Sequence, residues 1–195
     1  MNTTLAQNKT VLLGKLAAWT IASAVGIVVG FMATLPLIWS ISENVMNAVP
    51  QIVGQIFGGA FFGVGLGLAV GLAQWLVLRT RDEPHTRWLV ASVIGGLAAG
   101  IMAMLFSATF NDGGTNQFLT VVTFALLGGI LGTVQFVMMS TVAKNILWIA
   151  ASALGLAIGA GIPLSAENLQ IVGVTIGGLM YGALTAAVIW RFSKQ

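Results

Sequence analysis

Apolar and polar positions along this chain do not follow the short alternation of a half-buried strand or the one-sided stripe of a water-facing helix. Long apolar runs are instead broken by isolated charges, which leave six charge-free stretches: Leu16–Ser42, Asn44–Leu78, Trp88–Asn111, Gly113–Ala143, Asn145–Ala166 and Asn168–Trp190. Each reaches the roughly 20 residues that a helix needs to cross the hydrocarbon of a bilayer. The pattern predicts helices over 16–39, 51–78, 88–109, 118–141, 146–162 and 169–191. The expected fold class is therefore all-α: a polytopic membrane helix bundle of six transmembrane helices, forming one integral membrane domain over 1–195.

Composition supports the bilayer as solvent. Hydrophobic residues make up 57% of the chain and charged residues 7%, against about 25% charged in soluble domains. So few charges could not cover a water-facing surface of this size. With no cysteine, the chain has no disulfide, thiol nucleophile or thiolate metal ligand.

The charges also assign sides. Lys9 and Lys15 precede span one, Arg79, Arg81 and Arg87 separate spans two and three, Lys144 separates four and five, and Arg191 and Lys194 follow span six. With six spans all eight fall on one face, while the opposite loops carry Glu43, Asp112 and Glu167 and no basic residue. Loop Lys and Arg mark the cytoplasmic side, so both termini are expected in the cytoplasm (N-in/C-in). An odd span count would scramble this segregation. The bilayer accounts for the basic residues, and no nucleic-acid partner is expected. The plasma (inner) membrane is the expected location, with a thylakoid-type membrane as the variant. Span one, longer than the apolar core of a signal peptide, is read as retained.

Spans one, three and five open alike. Trp19, Ser23, Gly26 and Gly30 have offsets of 0, 4, 7 and 11, which recur in Trp88, Ser92, Gly95 and Ala99 and in Trp148, Ser152, Gly155 and Gly159. Gln51-Ile-Val-Gly54 with Gly58-Gly59-x-x-x-Gly63 in span two matches Gln170-Ile-Val-Gly173 with Gly177-Gly178-x-x-x-Gly182 in span six. Spans two and four share Gly67-x-x-x-Gly71-x-x-Gln74 and Gly128-x-x-x-Gly132-x-x-Gln135. The reading is three parallel tandem hairpins, over about 15–79, 87–141 and 145–192, related by an axis along the membrane normal.

Such stripes occupy one helix face, and small residues let backbones approach closely where lipid supplies no hydrophobic drive between helices. Gly59, Gly63, Gly67 and Gly71 form one ridge on span two, facing either a helix of the same chain or a flat ligand or partner subunit. Ser23, Ser92 and Ser152 belong to the packing stripe of the odd spans. Gln55, Gln74 and Gln135 are the intramembrane polar residues, expected to act as interhelical glue. Trp19, Trp75, Trp88, Trp148 and Trp190 lie near one set of span ends, where indoles anchor to headgroups. No ionisable residue lies inside a predicted span, which argues against an ion-coupled carrier. The loop cluster Asp82, Glu83 and His85 reads as a solvated turn. No catalytic, metal or cofactor site is expected, though a bound lipid or pigment would suit the Gly-rich faces.

The segment Gly67-Leu-Ala-Val-Gly71-Leu-Ala-Gln74-Trp75-Leu-Val-Leu78-Arg79, followed by Trp88-Leu-Val-Ala-Ser92-Val-Ile-Gly95, resembles a loose group of bacterial multi-span membrane proteins with G-x-x-x-G-x-x-Q-W-x-x-L-R and then W-x-x-x-S-x-x-G. The resemblance covers about a fifth of the chain and implies a fold and no activity. The second copy departs from it, with Phe136 in place of Trp75 and Ser140 in place of Arg79. The functional expectation is a non-enzymatic structural or accessory subunit of a membrane complex, with other membrane subunits or further copies of itself as partners. The alternative is a transporter or channel for a small uncharged or apolar solute, which requires a cavity lined by those Ser and Gln side chains.

Overall fold

Six α-helices follow one another in the computed structural model of the chain: α1 (Asn2–Val45), α2 (Gln51–Leu78), α3 (Thr86–Phe110), α4 (Gln117–Met138), α5 (Leu147–Ala160) and α6 (Glu167–Phe192). The structure describes residues 2–45, 49–79, 86–110, 116–138, 145–162 and 167–192, without the side chains of 2–9, 39, 41–45, 167–170 and 191–192. Every regular element among these residues is helical. The basic and acidic loop positions Arg81, Asp82, Glu83, His85, Asp112, Lys144 and Lys194 lie outside the described residues, as do the side chains of Lys9, Glu43, Glu167 and Arg191.

Five helices are long and apolar enough to cross a membrane, and they contain the segments Thr10–Ile38, Gln51–Leu78, Thr86–Phe110, Gln117–Met138 and Ile171–Trp190. The fifth helix departs from the sequence expectation of 146–162. At 14 residues it spans about 21 Å, short of the roughly 30 Å hydrocarbon. Its end has a local cause. Gly161 is the C-cap, its N–H bonding back to the Ala157 carbonyl at 2.9 Å, and Pro163 follows in the sequence. Proline disfavours helical geometry at the residue before it and brings no N–H to continue the ladder. The first helix departs in the other direction, beginning at Asn2 rather than residue 16. Residues 2–9 extend it ahead of the apolar segment Thr10–Ile38, since polar side chains do not stop a helix that is already nucleated.

Each helix packs against the next in sequence, and α6 returns onto α1, so the substantial helix pairs form a closed ring. Side chains such as Ile21, Val25 and Val29 on α1, Phe57 and Phe61 on α2 and Leu154 on α5 point outward and are exposed. A soluble monomer does not display apolar surface on this scale; a lipid-facing bundle does. The interior is layered. One apolar cluster gathers Trp19, Trp88, Trp148, Leu78, Ile189 and Trp190. A second gathers Ile27, Leu66, Val70, Leu127, Leu131, Leu156 and Tyr181. Between them lie fully buried polar side chains, Ser23, Gln74, Ser92, Gln135, Ser152 and Thr185.

Candidate functional site

Trp19 within α1 meets Trp88 and Trp148 from the starts of α3 and α5. All three are 0% exposed. Their rings meet edge to face in every pairing: Trp19 with Trp88 at 5.5 Å and 71°, Trp88 with Trp148 at 5.6 Å and 80°, and Trp19 with Trp148 at 6.3 Å and 70°. T-shaped contact sets the positive edge of one ring against the negative face of the next. These three indoles are thus not headgroup anchors, as their position near span ends suggests. They close the axis of the bundle. Trp190 is also buried, at 6% exposed, while Trp75 is half-buried on α2.

Each indole N–H is satisfied by the even-numbered helix beside it. Trp88 donates to Gln74 Oε1 at 3.1 Å, Trp148 to Gln135 Oε1 at 3.2 Å and Trp19 to Thr185 Oγ1 at 3.0 Å. The glutamines then reach across to the other flanking helix: Gln74 Nε2 donates to Ser23 Oγ and Gln135 Nε2 to Ser92 Oγ, both at 3.0 Å. Ser92 Oγ donates in turn to the Trp88 carbonyl at 2.9 Å. A glutamine side chain thereby ties three consecutive helices together: α1–α2–α3 through Gln74, and α3–α4–α5 through Gln135.

The third corner is built differently. Gly178-x-x-x-Gly182-x-x-Thr185 on α6 repeats the spacing that ends in Gln74 on α2 and Gln135 on α4. Threonine accepts the Trp19 N–H but is too short to reach α5. Four residues before the polar position, α2 has Val70 and α4 has Leu131, whereas α6 has Tyr181, the only tyrosine of the chain. The Tyr181 hydroxyl lies among Gln74, Ser152 and Gln135 and donates to Gln135 Oε1 at 3.4 Å. Ser152, the counterpart of Ser23 and Ser92, receives no glutamine amide; its buried Oγ has only the Tyr181 hydroxyl beside it. Sequence reasoning missed Thr185 and Tyr181. The Gly–Gly spacing pointed to position 185, but the change of residue type hid it.

Glycines set how closely these walls approach. A Cβ on Gly71 would stand 2.8 Å from the Ser92 Cβ, one on Gly132 2.8 Å from the Ser152 Cβ, and one on Gly182 3.0 Å from the Ser23 Cβ. The α2 ridge is occupied along its length by α3. A side chain at Gly59 or Gly63 would run into the Gly100 and Gly96 carbonyls, and one at Gly67 or Gly71 into Ser92. That ridge is therefore not a free face for a partner or pigment. Gln55 is half-buried on α2, away from the polar layer.

On the far side of the second apolar cluster lies a cavity of about 470 Å³, lined by α1, α2, α4, α5 and α6 and by no residue of α3. None of the Ser or Gln side chains of the polar layer reaches it. Within the layer itself, amides, indoles, hydroxyls and a phenol supply no base to activate a serine. Among the described residues no group of His, Cys, Asp and Glu could hold a metal ion. Comparison of the chain with known protein families, with characterised proteins and with solved structures returns no match.

Proposed function

We propose that this chain is a non-enzymatic integral membrane protein, a structural or accessory subunit whose six helices form three parallel hairpins with both termini in the cytoplasm of a bacterial inner membrane. The observation that carries the reading is the closed Trp–Gln–Ser layer. The polar side chains that could have lined a passage are spent on one another, with Trp88 and Trp148 each held by a glutamine that also grips a neighbouring helix. A conduit for an uncharged solute would need those groups turned toward a continuous opening. The three hairpins are supported by recurrence of the same Trp, Ser and Gly offsets and of the contacts they make. The orientation is supported by the one-sided placement of the eight Lys and Arg.

Gentle extraction of the native protein tests the role. A structural or accessory subunit elutes with other membrane proteins or as a multimer. A stable monomer that elutes alone contradicts it, and uptake of a neutral solute by proteoliposomes would favour the transporter instead. A reporter active only in the cytoplasm should work when fused after Gln195 and fail at Asp112; the reverse result overturns the topology.

A further inference from the structure

The cavity marks the place where the internal pattern of the bundle breaks. Eight residues before Gln74 and Gln135 stand Leu66 and Leu127; eight residues before Thr185 stands Gly177. All three line the cavity. The third corner carries glycine because α5 lies against it: a Cβ on Gly177 would stand 3.1 Å from the Gly159 Cα, and the cavity lies beside this contact. The short α5 enlarges the gap, because its last turn at Gly159 and Ala160 stops beside the cavity instead of continuing as a wall between α4 and α6. α2 and α3 are pressed backbone to backbone, and no residue of α3 reaches the space.

We infer that this cavity is a binding site for a single hydrocarbon chain carrying an uncharged head. Its volume of about 470 Å³ falls in the ~300–1,000 Å³ range of ligand pockets. Its floor and walls are apolar, formed by Ile27, Phe31, Phe124, Leu127 and Leu156. Water would find few partners there, whereas the surrounding solvent is itself hydrocarbon. Polar side chains occur at one end only, Gln117 and Thr120 at the start of α4. Gln117 spends its amide N–H on the Ala160 and Ile162 carbonyls at 2.6 and 3.5 Å, tying off the exposed end of α5. Its Oε1 remains as an acceptor for a hydroxyl. No described charged side chain lines the cavity, so nothing there offsets the cost of bringing a carboxylate or phosphate into hydrocarbon. The site takes in Gly159, Gly173 and Gly177 from the Gly-rich faces of α5 and α6, is separate from the α2 ridge, and holds whether or not the protein belongs to a larger assembly.

The test is photolabelling of the full-length protein in phosphatidylcholine bilayers. One probe is a long-chain fatty alcohol with a diazirine at mid-chain; the other is a phosphatidylcholine bearing the same chain. Labelling concentrated on Phe124, Leu127, Leu156 or Val174 relative to the outward-facing Leu154 and Leu179 is expected. It should fall at least severalfold in Ala160→Phe and in Thr120→Phe, which fill the cavity from two different helices, and stay unchanged in Leu154→Phe. Stronger labelling by the alcohol is expected; stronger labelling by the phosphatidylcholine would overturn the uncharged head and leave the tail of a bilayer phospholipid as the occupant. Labelling spread evenly over inner and outer positions, or insensitive to both filling variants in protein that retains its wild-type elution and helicity, overturns the inference.

Discussion

Gln135 accepts the indole N–H of Trp148 at 3.2 Å while its own amide donates to Ser92 at 3.0 Å. One side chain on α4 thus joins the two odd-numbered helices on either side of it. It also receives the Tyr181 hydroxyl from α6 at 3.4 Å, so four helices meet at this amide. A buried polar group left without partners costs more than the mean value of the bonds it made.

Replacing Gln135 by leucine leaves the Trp148 N–H and the Tyr181 hydroxyl without their acceptor and Ser92 without its donor. A loss of about 1–3 kcal/mol is expected, read as a lower melting temperature in detergent. Gln55→Leu, at a half-buried position outside the layer, should change stability by no more than about 0.5 kcal/mol. Equal effects from the two would show that Gln135 is no hub.

The glycines divide by what faces them. Gly63→Ala drives a methyl into the Gly96 carbonyl and must push α2 away from α3, whereas Gly129→Ala places its Cβ 3.7 Å from the Ala153 Cβ, an ordinary contact. The first should cost about 1–3 kcal/mol by overpacking. The second should be neutral or gain up to about 1 kcal/mol from helix propensity. Thermal unfolding of the two single variants checks the contrast.

The three serines share a register but not a role. Ser92 accepts from Gln135 and donates to the Trp88 carbonyl, so Ser92→Ala should destabilise by about 1 kcal/mol or more. The Ser152 hydroxyl receives no glutamine amide and faces only the Tyr181 hydroxyl, and Ser152→Ala should cost less than Ser92→Ala. A larger loss at Ser152 than at Ser92 would contradict the broken third corner.

Much of this was legible before any coordinates. The expected helix 51–78 coincides with α2, and 88–109 comes within two residues of both ends of α3. The recurring offsets singled out Trp19, Ser23, Gln74, Trp88, Ser92, Gln135, Trp148 and Ser152, all of which meet in one buried layer. What remained hidden had physical reasons. An indole near a span end looks the same in sequence whether it faces a headgroup or the bundle axis, because depth along a helix is legible and rotation about it is not when every face is apolar. Thr185 and Tyr181 escaped notice because the third corner reproduces a hydrogen bond with different residue types. The short α5 depends on a C-cap at Gly161 and on Pro163, local signals that a span search by hydropathy passes over. The cavity lies where α5 ends, beside the close contact of Gly159 with Gly177, a place that no apolar run marks.

The central claim is that the tryptophans are locked inside the bundle by the even-numbered helices, and a double-mutant cycle on Trp148 and Gln135 tests it most directly. Trp148→Phe keeps an aromatic ring but removes the N–H, and Gln135→Leu removes its acceptor. If the bond between them is real, the second change costs less once the first is made, and unfolding free energies should show a coupling of at least about 0.5 kcal/mol. Strictly additive losses would mean that the Trp148 indole does not depend on Gln135, and would contradict the account.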